Sequence, residues 1–166
     1  IVHRGQSLGA AWYLPEERQI VRTEQILDEM CAALGGRAAE KVVFNKISTG
    51  ALSDLEKVTK QARAMLTIYG LNEKIGKLTY YDSAQSDYSF TKPYSEKTAH
   101  LIDEEISKII EEQYQRAIDI LTENKDKLTT LANLLLDREV IFRDDLENIF
   151  GKRTFKDPHN RNEEDT

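Results

Sequence analysis

The sequence predicts a mainly α-helical fold with one small β-element, an edge strand near the N-terminus. Apolar residues recur at three- and four-residue steps through most of the 166 residues, which is the pattern of amphipathic helices. Strict alternation, the pattern of a strand, occurs in one stretch close to the start. Hydrophobic residues make up 40% and charged residues 31% of the chain, so we expect a globular protein with one core.

The predicted strand covers Gln6 to Leu14. Its alternate apolar positions are Leu8, Ala10, Trp12 and Leu14. Gly5 precedes the strand and Pro15 ends it, and both residues suit an edge strand better than a central one.

Two short helices are predicted next, one on each side of a glycine pair. The first begins at Thr23. Its apolar stripe contains Ile26, Met30, Ala33 and Leu34. Gly35 and Gly36 end or bend this helix, because glycine is unfavourable in a helix interior. The second helix covers Arg37 to Phe44.

A longer helix is predicted from Gly50 to Tyr69, with Gly70 as its end. Ser53 and Glu56 have the Ser-x-x-Glu spacing of a capping box, in which each side chain bonds to a backbone amide at the helix start. The apolar positions that follow at helical period are Leu55, Val58, Ala62, Met65 and Leu66.

The segment from Gly76 to Tyr94 has little periodicity and is predicted to be a long loop, with one short strand at Leu78 to Tyr81. The longest helix then begins after Ser95, which caps it, and ends near Glu123.

Two shorter helices are predicted in the remaining part, from Lys125 to Leu136 and from Arg143 to Phe150. From Gly151 the composition becomes polar. We therefore divide the chain into a domain at residues 1–150 and a tail at residues 151–166, and we expect the tail to be disordered.

Composition excludes several classes of protein. The net charge of -6 argues against a nucleic-acid-binding surface, which needs an excess of Lys and Arg. Cys31 is the only cysteine, so no internal disulfide can form. No run approaches the roughly 20 apolar residues that cross a bilayer. Because the first residue is Ile1 rather than Met, we expect this chain to be part of a longer protein.

Four motifs occur in a characteristic order. They are Arg-Gly-Gln-Ser-Leu-Gly at 4–9 leading to Leu-Pro-Glu at 14–16, Leu-Gly-Gly-Arg-Ala-Ala-Glu at 34–40, Ser-Thr-Gly-Ala-Leu-Ser-Asp-Leu at 48–55, and Tyr-Gly-Leu-Asn-Glu-Lys-Ile-Gly at 69–76. Together they resemble the C-terminal part of the peptidase domain of FtsH-type ATP-dependent zinc metalloproteases. The resemblance extends over about Arg4 to Phe150.

The resemblance implies a helical peptidase domain with a small sheet, which follows an AAA ATPase domain and an N-terminal membrane anchor. The parent protein would be a hexameric endopeptidase that degrades unfolded or unassembled proteins. Its cofactors would be zinc in the peptidase domain and ATP with Mg²⁺ in the ATPase domain. The membrane would be the bacterial inner membrane, with the peptidase domain facing the cytoplasm, or alternatively the mitochondrial inner membrane.

The two imidazole ligands of such a zinc site come from a His-Glu-x-x-His helix, which this sequence lacks. Its histidines are His3, His100 and His159, and no two of them are four residues apart. The resemblance makes Asp54 the third zinc ligand. The alternative is that Asp54 only stabilises the start of its helix through the helix dipole. We therefore expect the chain alone to be inactive and to bind no zinc tightly.

The resemblance also assigns substrate binding to the predicted edge strand. An extended polypeptide would add to it as a further strand, through backbone hydrogen bonds that tolerate many sequences. The residues involved would be Ser7, Leu8, Gly9, Ala10 and Ala11. The alternative is a structural strand whose Trp12 and Leu14 fill the core. Glu40 could support the metal site indirectly, whereas a solvated or salt-bridged Glu40 is the simpler interpretation.

A second functional class stays open, in which the chain is a non-catalytic helical module for oligomerisation or interaction. Its amphipathic helices would serve assembly alone. Because the missing helix would normally cover apolar surface, we expect self-association, either through the patch left exposed or through native ring contacts.

Overall fold

The computed structural model describes residues 20–81 and 93–152. These ranges contain six α-helices and form two compact units, one of residues 20–81 with 93–123 and one of residues 124–152. The mainly helical fold class is therefore confirmed. The predicted strand at Gln6 to Leu14 and the tail beyond residue 152 lie outside the described residues.

The first unit contains four helices and the second contains two. In the first unit they are α1 (Thr23–Ala33), α2 (Gly35–Phe44), α3 (Leu52–Thr67) and α4 (Glu96–Glu123). In the second unit they are α5 (Lys125–Arg138) and α6 (Arg143–Phe150). No helix in these two ranges is long and apolar enough to cross a lipid bilayer.

The predicted break between the first two helices is confirmed, although it falls at Leu34 rather than at the glycine pair. Leu34 caps α1 at its C-terminus and α2 at its N-terminus, and its side chain is fully buried. Gly35 and Gly36 form the first turn of α2, where the backbone amides have no partners within the helix. Burial of Leu34 therefore decides where the chain bends.

The capping box predicted for α3 is wrong. Ala51 is the N-cap, and no side chain caps this helix. Ser53 lies inside the first turn, two positions beyond the N-cap Ala51, so its side chain does not serve as the cap. The sequence predicts that this helix reaches Tyr69 and is ended by Gly70. α3 ends slightly earlier, at Thr67, and Gly70 has the positive φ, 61°, that is typical of a glycine after a helix.

The core of the first unit is formed where α4 packs against α1 and α3. The fully buried residues with the largest side chains are Met30, Leu34, Val58, Leu66 and Ile102. A smaller cluster of Cys31, Ala38 and Ala117 joins α1 and α2 to α4. The small side chains of Ala38 and Ala117 allow close approach of α2 to α4.

The short strand predicted at Leu78 to Tyr81 is wrong, since these residues are irregular. Tyr80 instead donates its backbone N–H to the carbonyl of Thr67, at 2.8 Å, and its ring meets the edge of Tyr94 at a centroid distance of 5.0 Å. A tertiary aromatic contact therefore holds this segment in place of a sheet.

The turn after α3 is tied to α4 by a buried carboxylate. Glu105 is 5% exposed, and its two oxygens accept hydrogen bonds from the Asn72 side-chain amide, at 3.0 Å, and from the Lys74 ammonium. The other end of the Asn72 side chain accepts the backbone N–H groups of Lys74 and Ile75, at 2.9 and 3.1 Å. This network places Ile75 in the core.

The second unit is an α5–α6 hairpin with polar links at its turn. Arg138 pairs with Asp145 at 2.9 Å, and the Phe142 N–H donates to the same carboxylate at 3.0 Å. The predicted α6 is confirmed, and α5 is two residues longer than predicted. Neither helix contains a buried residue.

The Glu105 network predicts how stability depends on pH. The hydrogen bond from Lys74, then that from Asn72, lowers the pKa of Glu105 below its usual 4.5, and Glu105 raises the pKa of Lys74 above its usual 10.5. A lowered acid pKa stabilises the fold above pH 4.5, and this contribution is lost as pH falls through the folded-state pKa. The Lys74 contribution is present below pH 10.5 and is lost as pH rises through the folded-state pKa.

We therefore expect Glu105→Gln to lower the free energy of unfolding at neutral pH, with the difference from wild type shrinking below pH 4.5. Urea unfolding at several pH values measures this. Glu104→Gln is the control, because Glu104 is an exposed neighbour of the same charge. Equal effects of the two substitutions would contradict the role assigned to the buried carboxylate.

Candidate functional site

Asp54 lies in the first turn of α3, and its side chain is half-buried. Residues further along the same helix, Val58 and Ala62, are fully buried in the core, so the helix axis is held firmly. Within the described ranges, no side chain or backbone group forms a hydrogen bond or ion pair with the Asp54 carboxylate. A carboxylate on a rigid helix that none of the described residues satisfies is placed to bind a ligand.

Glu40 lies on α2 and binds the loop that leads to α3. One of its oxygens accepts the backbone N–H of Ser48, at 3.1 Å, and the other accepts the Ser48 hydroxyl. The Ser48 hydroxyl oxygen in turn accepts the backbone N–H of Gly50, at 3.2 Å. Glu40 is therefore hydrogen-bonded to the loop rather than to solvent alone, and its indirect support of a metal site stays a prediction.

The electrostatics of Glu40 follow from the same contacts. The hydrogen bond from the Ser48 hydroxyl, and then that from the Ser48 backbone, lower the pKa of the Glu40 carboxyl from its usual value of 4.5. Both bonds favour the ionised form, because an anionic oxygen is a stronger acceptor than a neutral one. Glu40 is thus a carboxylate at neutral pH.

The sequence pattern does not identify Ser48 as a site residue. Its only signal is its place in Ser-Thr-Gly just before a predicted helix, since such residues often bond to nearby backbone groups. That pattern does not reveal the partner, because Glu40 is eight residues away and belongs to another helix.

Apolar side chains are exposed around this loop. Phe44 at the end of α2 is 71% exposed, Ile47 in the loop is 62% exposed, and Leu52 at the start of α3 is 73% exposed. Large apolar side chains grouped on a surface mark sites that another polypeptide segment covers. The loop that carries Ser48 is therefore flanked by a surface suited to contact with more protein.

The residues present do not fit a zinc site by themselves. Within residues 20–81 and 93–152, no three His, Cys, Asp or Glu side chains are grouped so that they could hold a metal ion. His100 lies on the exposed surface of α4, 3.3 Å from Glu104, as expected for a helix-surface residue. His3, His159 and the predicted substrate strand Ser7–Ala11 fall outside the described residues. This part of the chain thus offers Asp54 as one donor.

Comparison with known proteins connects this site to one family. The profile of peptidase family M41 matches residues 1–149. ATP-dependent zinc metalloprotease FtsH of Parabacteroides distasonis is 63% identical over 155 residues, which are 93% of this chain and 23% of that protein.

Mitochondrial proteins are also similar. ATP-dependent zinc metalloprotease FTSH 3 of Arabidopsis thaliana is 46% identical over 157 residues, 94% of this chain and 19% of that protein. The mitochondrial inner membrane m-AAA protease component AFG3L2 of Mus musculus is 43% identical over 155 residues, 93% of this chain and 19% of that protein. The chain therefore spans about a fifth to a quarter of the length of these relatives.

The donor count predicts weak metal binding by this chain. Tight zinc sites use three or four protein donors, whereas Asp54 is a single carboxylate. We expect the 166-residue chain to show no nanomolar zinc affinity in a competition titration against a chromophoric chelator. The Asp54→Ala variant should give the same titration curve. Nanomolar binding that disappears in Asp54→Ala would contradict this prediction.

Proposed function

Because the chain belongs to peptidase family M41, the FtsH-type zinc metalloproteases, we propose that it forms the C-terminal part of the peptidase domain in an ATP-dependent zinc endopeptidase. The substrates of the whole protein are unfolded or unassembled polypeptides, whose removal is a quality-control function. Two observations support this function. They are the family match over residues 1–149 and the Asp54 carboxylate, which none of the described residues satisfies.

The observation that carries the proposal is that none of the described residues pairs with the carboxylate of Asp54. A residue that only stabilised a helix start would be satisfied by its own helix dipole, and the first turn of α3 does offer that interaction. The dipole requires no hydrogen bond to the carboxylate, so it leaves the Asp54 oxygens open to a metal, and the family match favours that role. The half-buried Asp54 carboxylate therefore suits a zinc ligand, with imidazole donors supplied by the rest of the parent protein.

The chain alone is proposed to be inactive. A catalytic zinc ion supplies a Lewis acid that activates water, and it requires three protein donors with one open position. This sequence lacks the His-Glu-x-x-His pair, so the contribution of the described residues is one carboxylate and the rigid helix that holds it.

The remaining properties of the whole protein are proposed from the relatives. Zinc is its peptidase cofactor, and ATP with Mg²⁺ serves an ATPase domain that delivers substrate to a hexameric ring. A membrane anchor outside this chain places the protein in a bacterial inner membrane, with the peptidase domain in the cytoplasm. The higher identity to a bacterial relative than to the mitochondrial ones supports this choice.

One structural observation favours the alternative function, a helical interaction module. The α5–α6 hairpin has no buried residue and exposes large apolar side chains, among them Leu136 and Phe142. Apolar residues left uncovered in this way suit a protein contact. A ring-forming protease also needs such contacts, so the hairpin is compatible with both functions.

Asp54→Asn in the whole protein tests the proposed function. Loss of a zinc donor should lower the rate of cleavage of an unfolded protein about 100-fold or more, because even residues that only support a ligand contribute 10- to 100-fold. The ATPase rate should not change. Glu56→Gln is the matched control, since Glu56 is an exposed carboxylate on the same helix. Cleavage at the wild-type rate by Asp54→Asn would refute the assignment.

The proposed substrate strand, Ser7–Ala11, is tested by Gly9→Pro. Proline has no backbone N–H to donate to an added strand, so we expect slower cleavage of unfolded protein with an unchanged ATPase rate. Gly9→Ala keeps the N–H group and should retain more activity. If Gly9→Pro cleaves as fast as wild type, the strand does not bind substrate in this way and serves the core instead.

A further inference from the structure

The connection between α2 and α3 is fixed first at the end of α2. Asn45 has a left-handed backbone with φ of 49°, and its N–H donates to the Lys41 carbonyl at 3.0 Å. Asn tolerates this conformation better than most residues. The Lys41 ammonium also donates to the Asn45 side-chain oxygen, at 2.9 Å. The direction in which the chain leaves α2 is therefore defined.

The second fixed point is Ser48. Its backbone N–H and its hydroxyl both donate to the Glu40 carboxylate, and its hydroxyl oxygen accepts the Gly50 N–H at 3.2 Å. Ser48 thus links a side chain of α2 to the backbone just before α3. A β-carbon at Gly50 would lie 3.3 Å from the Ser48 hydroxyl oxygen, so the two residues are closely apposed.

The third fixed point is Ala51, the N-cap of α3. It is 7% exposed, and its carbonyl accepts the N–H of Leu55 at 2.9 Å. Only Ala51, Leu52 and Ser53 separate Gly50 from Asp54. A shift of Gly50 would therefore shift the first turn of α3, which carries Asp54.

Among the described residues, no other hydrogen bond joins α2 to the start of α3. α2 packs against α1 and α4 but not against α3, and α3 has no side-chain cap of its own. We propose that Ser48 is a positioning residue, which couples Glu40 to the Gly50 amide and so fixes the first turn of α3 and the direction of the Asp54 carboxylate. The expected effect of Ser48 on cleavage rests on the proposed function, whereas its expected effect on the loop does not.

The experiment compares Ser48→Ala, Ser48→Thr and the control Ser53→Ala in the whole protein. Ser53 is an exposed serine that does not cap α3. Amide hydrogen exchange is measured at Gly50 and Ala51, with the buried Ile102 as a report on global stability. Steady-state cleavage of an unfolded protein is measured on the same samples, with kcat and KM determined separately.

Ser48→Ala should raise exchange at Gly50 about fivefold to tenfold, the equivalent of one net hydrogen bond, and leave exchange at Ile102 unchanged. It should lower kcat by a similar factor at constant KM, because substrate binding is untouched while Asp54 is less well oriented. Ser48→Thr keeps the hydroxyl and should restore both values. Ser53→Ala should match wild type in both.

Unchanged exchange at Gly50 in Ser48→Ala would overturn the proposal, as would an equal change in Ser53→Ala or a failure of Ser48→Thr to restore the loop. Gly50→Ala is an independent variant, since its methyl group would press on the Ser48 hydroxyl, and it should give the pattern of Ser48→Ala. If the wild-type protein cleaves nothing, the proposed function fails, while the exchange data still decide the role of Ser48.

Discussion

Packing of the long helix α4 against α1, α2 and α3 is the constraint on which the rest of the first unit depends. Ile102, in the first half of α4, is fully buried against residues of the other helices. Close packing of this kind has few alternatives, because a shift of one helix opens cavities on its neighbours. The axes of α2 and α3 are thus set by a third helix to which both are packed.

Polar groups fix the segments that adjoin the two ends of α3. At its C-terminal end, Glu105 of α4 holds the turn at Asn72 and Lys74. At its N-terminal end, Glu40 of α2 holds the loop through Ser48. In both places a carboxylate on one helix accepts two hydrogen bonds from a connecting segment. Such charge-assisted bonds are stronger than neutral ones and have defined directions.

The position of Asp54 follows from these constraints. The carboxylate belongs to a helix that is buried in its middle and held at its start, yet none of the described residues satisfies it. Exposed Phe44 and Leu52 lie close in sequence, at the end of α2 and the start of α3. Under the proposed function, this carboxylate is one donor of a site whose other donors come from further protein.

The sequence by itself determined the helical fold class, the approximate bounds of the six helices and the family. These features depend on periodicity and on ordered motifs, both of which are local properties of the chain. Only the tertiary structure decided that Leu34 rather than the glycine pair forms the break, that Ser53 does not cap α3, and that Tyr80 contacts Tyr94 instead of entering a strand. It also decided the partnership of Glu40 with Ser48. The positions of Leu34, Tyr80 and Glu40 each depend on a contact with a residue that local pattern cannot identify, because burial and long-range hydrogen bonds override the intrinsic preference of a short segment.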